Sequence, residues 1–324
     1  MTRGTEMEQV REELVEAHAW GDETRARALV SRLGAQPRKA RALLEDMLSS
    51  PDARVRQAAA FGLGELGGAA SARCLELRLA HEEARGDYDG ASVAETITQA
   101  LGRLEEASAR ATLARRLERL AAGRPDPVDV NVVACSLWRR RHSELLPIVR
   151  RSLERLALPA PNALHGLLLL LEKPPEELHV WARNPVVPVE HKTEVLTVLE
   201  AELPQALVPT LPSFISAACS LVELAMRQVG PAAYYCECLL SLLLLHREWL
   251  VPALPEEVRE ELHALARELV AALSPNCSLR ATVLLKSIGS PEDATVIEAH
   301  RPEEPVGAKV FDDAARELRS RQKR

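Results

Sequence analysis

The sequence predicts an all-α chain arranged as a solenoid of paired helices, and three observations carry that reading. Hydrophobic residues fill 47% of the 324 positions while aromatics supply only 3%, so the core has to be built from Leu, Ala and Val. Short or unbranched side chains suit packed helices better than sheets, which draw on β-branched and aromatic residues. Segments between the prolines repeat apolar residues at helical spacing, and no run alternates apolar and polar residues long enough for a sheet. The chain also resembles itself at a period in the high thirties, the length of one helical hairpin with its turns.

The elements follow in order. Met7, Val10, Leu14 and Ala17 mark one face of a first helix. Gly21-Asp22 turns the chain, and Asp22 is placed to cap a second helix that ends near Gly34. Gln36-Pro37 opens a third, with Ala40, Leu43, Leu44, Met47 and Leu48 on its apolar face. Ser49 to Asp52 breaks it, and Val55, Ala59, Leu63 and Leu66 define a fourth. Further helices are expected over 70–84, 91–105, 107–122, 128–141, 143–157, 161–172, 190–202, 213–229, 232–249, 255–273, 277–288, 291–299 and 307–321. From Pro174 to Pro188 the density of prolines gives no helix assignment. Many short helices joined by short turns imply antiparallel hairpins.

The internal repeat sharpens the architecture. Setting Leu63-Gly64-Glu65-Leu66 over Leu101-Gly102-Arg103-Leu104 brings Val55 onto Val93, Ala59 onto Ile97, Leu75 onto Leu113 and Leu79 onto Leu117. Ser50-Pro51-Asp52-Ala53-Arg54-Val55-Arg56 similarly matches Ser274-Pro275-Asn276-Cys277-Ser278-Leu279-Arg280. Both segments contain a Ser-Pro break, a capping residue, an apolar residue three later and an arginine four later. Asp52 and Arg56 stand at i, i+4, a spacing that permits an ion pair at the helix start worth roughly 0.2–0.5 kcal/mol. Ala58, Ala59, Gly62 and Gly64 are small enough to let helix axes approach closely.

Asp52, Val55, Arg56, Leu63, Gly64, Leu66 and Gly67, echoed by Asn276 and Arg280, resemble the bacterial HEAT repeat, with its capping Asp, Val-Arg pair, Ala-rich stretch and Leu-Gly-x-Leu-Gly ending. The resemblance covers roughly 36–157 and 274–300, and the 89–117 unit has Ala94 where the arginine would sit. It implies a right-handed α-solenoid of stacked antiparallel helical hairpins, in which the arginine helps tie repeats together. Residues 1–35 are then N-terminal capping helices and 36–157 HEAT-like repeats. Residues 158–273 become degenerate helical hairpins, and 274–324 a C-terminal HEAT-like repeat with a basic terminal helix. A single hairpin cannot bury its apolar stripe alone, so stacked neighbours have to supply a continuous core.

The resemblance further implies a non-catalytic scaffold or adaptor that receives a protein partner on its inner helical face. Arg139, Arg140 and Arg141, with Arg115 and Arg116 in a flanking helix, could form a positive stripe for that partner, and Phe61 is a surface candidate. Arg150-Arg151 would extend the stripe. Trp20, Trp138, Trp181 and Trp249 could anchor a partner, although packing within the stack is the plainer role for each. Two alternatives stay open. One is an enzyme or enzyme subunit resembling the HEAT-like lyases that attach bilin chromophores to proteins. The other is nucleic-acid binding through the arginine stripe, as in helical DNA glycosylases of similar architecture. A net charge of −6 and a single nearby aromatic, Trp138, argue against nucleic acid.

No motif demands a cofactor, a metal or a catalytic group. Gly62 to Gly67 fits G-x-G-x-x-G, but it closes a helical run instead of following a strand, so helix packing and a glycine cap explain it. His81-Glu82 invites comparison with HEAT-like iron enzymes that use several His-Glu pairs; this chain has only one in that order, and a solvated helix end accounts for it. His246 and Glu248, near Cys236 and Cys238, stand at i, i+2 and should diverge on a helix. The six cysteines have neither zinc-finger nor redox spacing, and free buried thiols fit a cytoplasmic, reducing location. Met1 to Val15 has no signal-like apolar core, and Ala232 to Leu245 is too short to span a bilayer, so no membrane insertion is expected.

Overall fold

The computed structural model describes residues 3–156 and 162–321. Among these it contains nineteen α-helices, one 3-10 segment and no strand. The expected 157/158 junction and the end of the basic tail, Gln322 to Arg324, lie outside the described residues. By its internal packing the chain divides into two compact units, residues 1–158 and 159–324.

The first unit holds α1 (Arg3–Ala19), α2 (Glu23–Gly34), α3 (Pro37–Leu48), α4 (Ala53–Leu66), α5 (Gly68–Arg85), α6 (Tyr88–Arg103), α7 (Ala107–Ala121), α8 (Pro127–Arg139) and α9 (Leu145–Arg155). Alternate helices pack on one another: α4 on α6 and α6 on α8 in one layer, α5 on α7 and α7 on α9 in the other. Chain neighbours also pack on one another across the layers, as α3 does on α4 and α5 on α6. The sequence supplies the ends of these helices. Asp22, Asp52, Asp87 and Asp126 each accept a backbone N–H of the first turn, satisfying a donor that has no partner inside the helix. Gly67, at φ +74°, ends α4 in a region that residues with a Cβ avoid.

Small residues set the layer spacing. A Cβ added to Gly64 would stand 2.9 Å from the Cβ of Ala100, and one added to Gly102 would stand 2.9 Å from the Cβ of Ser136. The two glycines occupy equivalent places in the Leu-Gly-x-Leu repeat, and each lets the next helix of the layer come close. Gly62 does the same towards Leu44 on α3. Val93, Ile97, Leu75, Leu79, Leu113 and Leu117, the apolar skeleton of the repeat, are all buried.

The second unit holds α10 (Ala163–Glu172), α11 (Pro175–Arg183), α12 (Val189–Ala201), the 3-10 segment Gln205–Thr210, α13 (Leu211–Arg227), α14 (Pro231–Leu245), α15 (Arg247–Ala253), α16 (Glu256–Leu269), α17 (Pro275–Ile288), α18 (Asp293–Ala299) and α19 (Pro305–Arg321). One layer runs α10, α12, α14, α17, α19, each packed on the next; α11, α13 and α16 form the other. Gly166 of α10 faces the backbone of Glu194 on α12 so closely that a Cβ would fall 2.2 Å from that carbonyl oxygen. The run Gln205–Arg227 is long and apolar enough to cross a membrane by length and composition. Within this unit its Leu211, Phe214, Ile215, Ala218 and Ala225 are buried side chains of the core.

Two elements depart from expectation. The stretch 174–188 contains α11, because Pro175 occupies the first turn, where a missing N–H costs nothing, and Pro188 precedes α12. The expected helix over 232–249 is interrupted: His246 leaves helical geometry at φ −112°, ψ 12°, separating α14 from α15.

Candidate functional site

Asp52 caps α4 by accepting the N–H of Arg54 at 2.9 Å, and its ion pair is with the Arg54 guanidinium at 3.1 Å. That overturns the expected Asp52–Arg56 pair. Arg56 turns inward instead. Its Nε donates to Glu82 of α5 at 2.8 Å, and one Nη donates to the carbonyls of Ser50 and Pro51. Glu82 is therefore no solvated helix end: it is fully buried and also receives Arg78 and Arg85. Only its neighbour His81 is exposed. The second copy of the motif differs. Ser274, two residues before Asn276, caps α17, and Arg280 lies 3.7 Å from Glu237 of α14.

Part of the arginine stripe is spent on bracing neighbouring helices. Arg115 of α7 pairs with Glu76 of α5, and Arg119 with Glu83 at 2.7 Å. Arg151 of α9 pairs with Glu118 of α7 at 3.4 Å. Arg116 is buried, donating to Asp129 and the carbonyl of Ala94 at 2.9 Å each and pairing with Glu83 at 3.1 Å. It is withdrawn as an exposed partner-binding candidate, because its side chain is buried and engaged by Glu83, Asp129 and the Ala94 carbonyl. Arg139 and Arg140 are half-buried; Arg141 is exposed, and its guanidinium lies 4.8 Å from the ring centre of the buried Trp138.

Phe61 is also withdrawn as a surface residue. Helices α1, α2, α3, α5 and α6 all pack on α4, so the side opposite its main apolar stripe is covered too. Phe61 is 2% exposed, with Arg103 over its ring at 4.8 Å and the His18 ring 5.6 Å away. Burial, reinforced by the charge of Arg103, lowers the His18 pKa below its ordinary value. In the Gly62 to Gly67 segment the first two glycines are buried inside α4 and Gly67 is its cap, an arrangement of helix packing.

Cys236, Cys238 and Cys277 are buried free thiols, whereas Cys74, Cys135 and Cys219 are only half-buried. Burial pushes Cys219 and Cys238 up to about 11 and Cys277 to about 12. No group of three or more His, Cys, Asp or Glu among the described residues is arranged to hold a metal ion.

The tryptophans separate sharply. Trp138 is in the core and Trp181 half-buried, but Trp20 is 83% exposed and Trp249 43% exposed. Trp249 stands over an open pocket of about 540 Å³ in the second unit, shared with Leu245, His246, Glu248, Glu200 and Ser241. The interruption at His246 lies in the wall of this pocket. A continuous helix would send His246 and Glu248 to different faces; with α14 ended at Leu245, both line one cavity with Trp249. The His246 and Trp249 rings lie 5.3 Å apart at 55°. Burial lowers the His246 pKa, and its Nε2 is enclosed without a hydrogen-bond partner. At the floor, the Ser241 hydroxyl of α14 donates to the Glu200 carboxylate of α12. Leu245 is 60% exposed at the rim. A sign of this surface was present in the sequence: Leu242 to Leu245 are four consecutive leucines, more than one helix face can bury.

Comparison with known protein families and with curated proteins finds no match for this chain.

Proposed function

We propose that this chain is a HEAT-like helical-repeat scaffold, a right-handed α-solenoid of stacked hairpins that docks a protein partner and does no chemistry itself. Supporting the repeat reading are the alternate-helix layers of each unit and the equivalent close contacts at Gly64 and Gly102. Ion pairs from Arg115, Arg119 and Arg151 to glutamates one outer helix away are the kind of cross-bracing that a stack needs. They also neutralise Arg115 and Arg151 within the stripe that nucleic-acid binding would use.

The single observation that carries the binding reading is the exposure of Trp249 and Leu245 side by side over one pocket. Large apolar side chains open to water at the rim of a concavity mark an interaction site, and tryptophan is the residue most enriched among binding hot spots. The pocket is lined by the C-terminal ends of α12 and α14 and by α15.

The test is affinity capture from native extract with the full chain and its Leu245→Glu and Trp249→Ala variants, read by quantitative mass spectrometry. The proposal expects a protein held by the wild type and lost from both variants. Identical sets of captured proteins from all three would overturn it.

A further inference from the structure

The Trp249 pocket is not simply apolar. Two carboxylates, Glu200 and Glu248, line it, and among the described residues neither has a cationic partner within ion-pair distance. The only cation on the lining is Arg247, exposed and joined to neither. Burial lowers the His246 pKa and so disfavours a positive charge on its ring. Two carboxylates against one guanidinium leave the pocket negative, beneath an indole that is nearly half open to water.

We propose that this pocket receives an arginine side chain presented by the protein partner, stacked on Trp249 and paired with Glu200 and Glu248. The inference rests on the partner-binding reading above and deepens it. A planar guanidinium can lie against an aromatic face while its edge N–H groups reach a carboxylate, which a leucine or phenylalanine anchor cannot do. Glu200 is prepared for this role. The Ser241 hydroxyl donates to one of its oxygens and fixes the carboxylate at the floor. The tilted His246 ring packs beside the indole, with the ring centres 5.3 Å apart. An apolar anchor would instead strip water from both carboxylates and leave them unpaired, an unfavourable exchange.

The experiment uses the full-length, 15N-labelled chain. It is titrated with the capped tripeptide Gly-Arg-Gly and with its neutral isostere, in which citrulline replaces arginine. The Trp249 indole resonance is identified by its loss in Trp249→Phe. The expected result is a shift of that resonance by the arginine peptide, with a dissociation constant on the order of millimolar and roughly tenfold weaker binding of the citrulline peptide. The Glu200→Gln/Glu248→Gln double variant should abolish the difference between the two peptides. Equal shifts from both peptides, or no shift from either, would overturn the arginine site. A parallel affinity capture separates this from failure of the broader reading. A partner lost with Trp249→Ala but held by the double glutamine variant would keep the docking surface and remove the arginine. A partner held by every variant would remove both.

Discussion

Arg56 of α4 and Glu82 of α5 form an ion pair in which neither side chain touches solvent, with Nε 2.8 Å from Oε1. The pair joins two consecutive helices across the layers of the first unit; Nη2 of Arg56 also donates to Glu82 Oε2 at 3.3 Å, and Nη1 donates to the carbonyls of Ser50 and Pro51. Removing Glu82 strands the buried charge of Arg56, whereas removing Arg56 leaves Glu82 paired with Arg78 and Arg85. Glu82→Gln should therefore destabilise the first unit by about 3–5 kcal/mol, and Arg56→Met by less. The combined Arg56→Met/Glu82→Leu change should cost less than the sum of the two single losses. Urea unfolding of the three variants, followed by the fluorescence of the buried Trp138, measures this. Single-variant losses below about 1 kcal/mol would place the pair in water.

Close approach of α4 and α6 depends on Gly64. Alanine there gains up to about 1 kcal/mol in helix propensity but drives its Cβ against the backbone and side chain of Ala100, costing about 1–3 kcal/mol. The net expectation is destabilisation. Gly34→Ala is the matched control, because nothing lies within 4 Å of the added carbon, and it should be neutral or mildly stabilising. Thermal melts of both variants decide the point; equal behaviour would contradict the packing described.

Asp293 ties α18 to α16. Burial alone would raise its pKa, but the hydrogen bond from His263 at 2.7 Å, the Ser290 N–H and the charge of Arg267 together hold it below the ordinary carboxylate value. A depressed folded pKa contributes stability that is fully present above the unfolded value, near about 3.9, and is lost as pH falls through the folded value. Asp293→Asn should lower stability at neutral pH and flatten the acid decline of the second unit. Urea midpoints from pH 7 downwards would show it, and parallel curves for the two proteins would refute it.

The buried thiols should be chemically silent while the chain is folded. With Cys277 at about 12 and Cys236 raised further by burial, their thiolate fraction at mildly alkaline pH falls by on the order of a thousandfold from that of a free cysteine. Native-state labelling with a disulfide reagent should leave both unmodified until urea opens the second unit. Immediate reaction of all six cysteines would contradict their burial.

Local chemistry was legible in the sequence, and cross-helix chemistry was not. Asp52 as a cap, Gly67 as a helix end and the buried face of Val93, Ile97 and Leu101 follow from residue type and spacing within a single helix. Glu82 looked solvated because it stands near a helix end; its burial depends on Arg56, 26 residues earlier. Arg116 and Phe61 looked free because their cover comes from other helices: Ala94 and Asp129 around Arg116, Arg103 and His18 around Phe61. The Trp249 pocket was hidden by the assumption that apolar 232–249 forms one helix. The interruption at His246, which no proline or glycine signals, converts a diverging pair into a shared lining.

The most direct test of the central claim, that the surface around Trp249 is where a partner docks, is site-specific photocrosslinking. A benzophenone amino acid is placed at Leu245 and, for comparison, at Leu77 of the first unit, which is 76% exposed but lines none of the described pockets. After irradiation in native extract, position 245 should yield one discrete covalent adduct and position 77 none. No adduct at 245, or the same adducts at both positions, would contradict the claim.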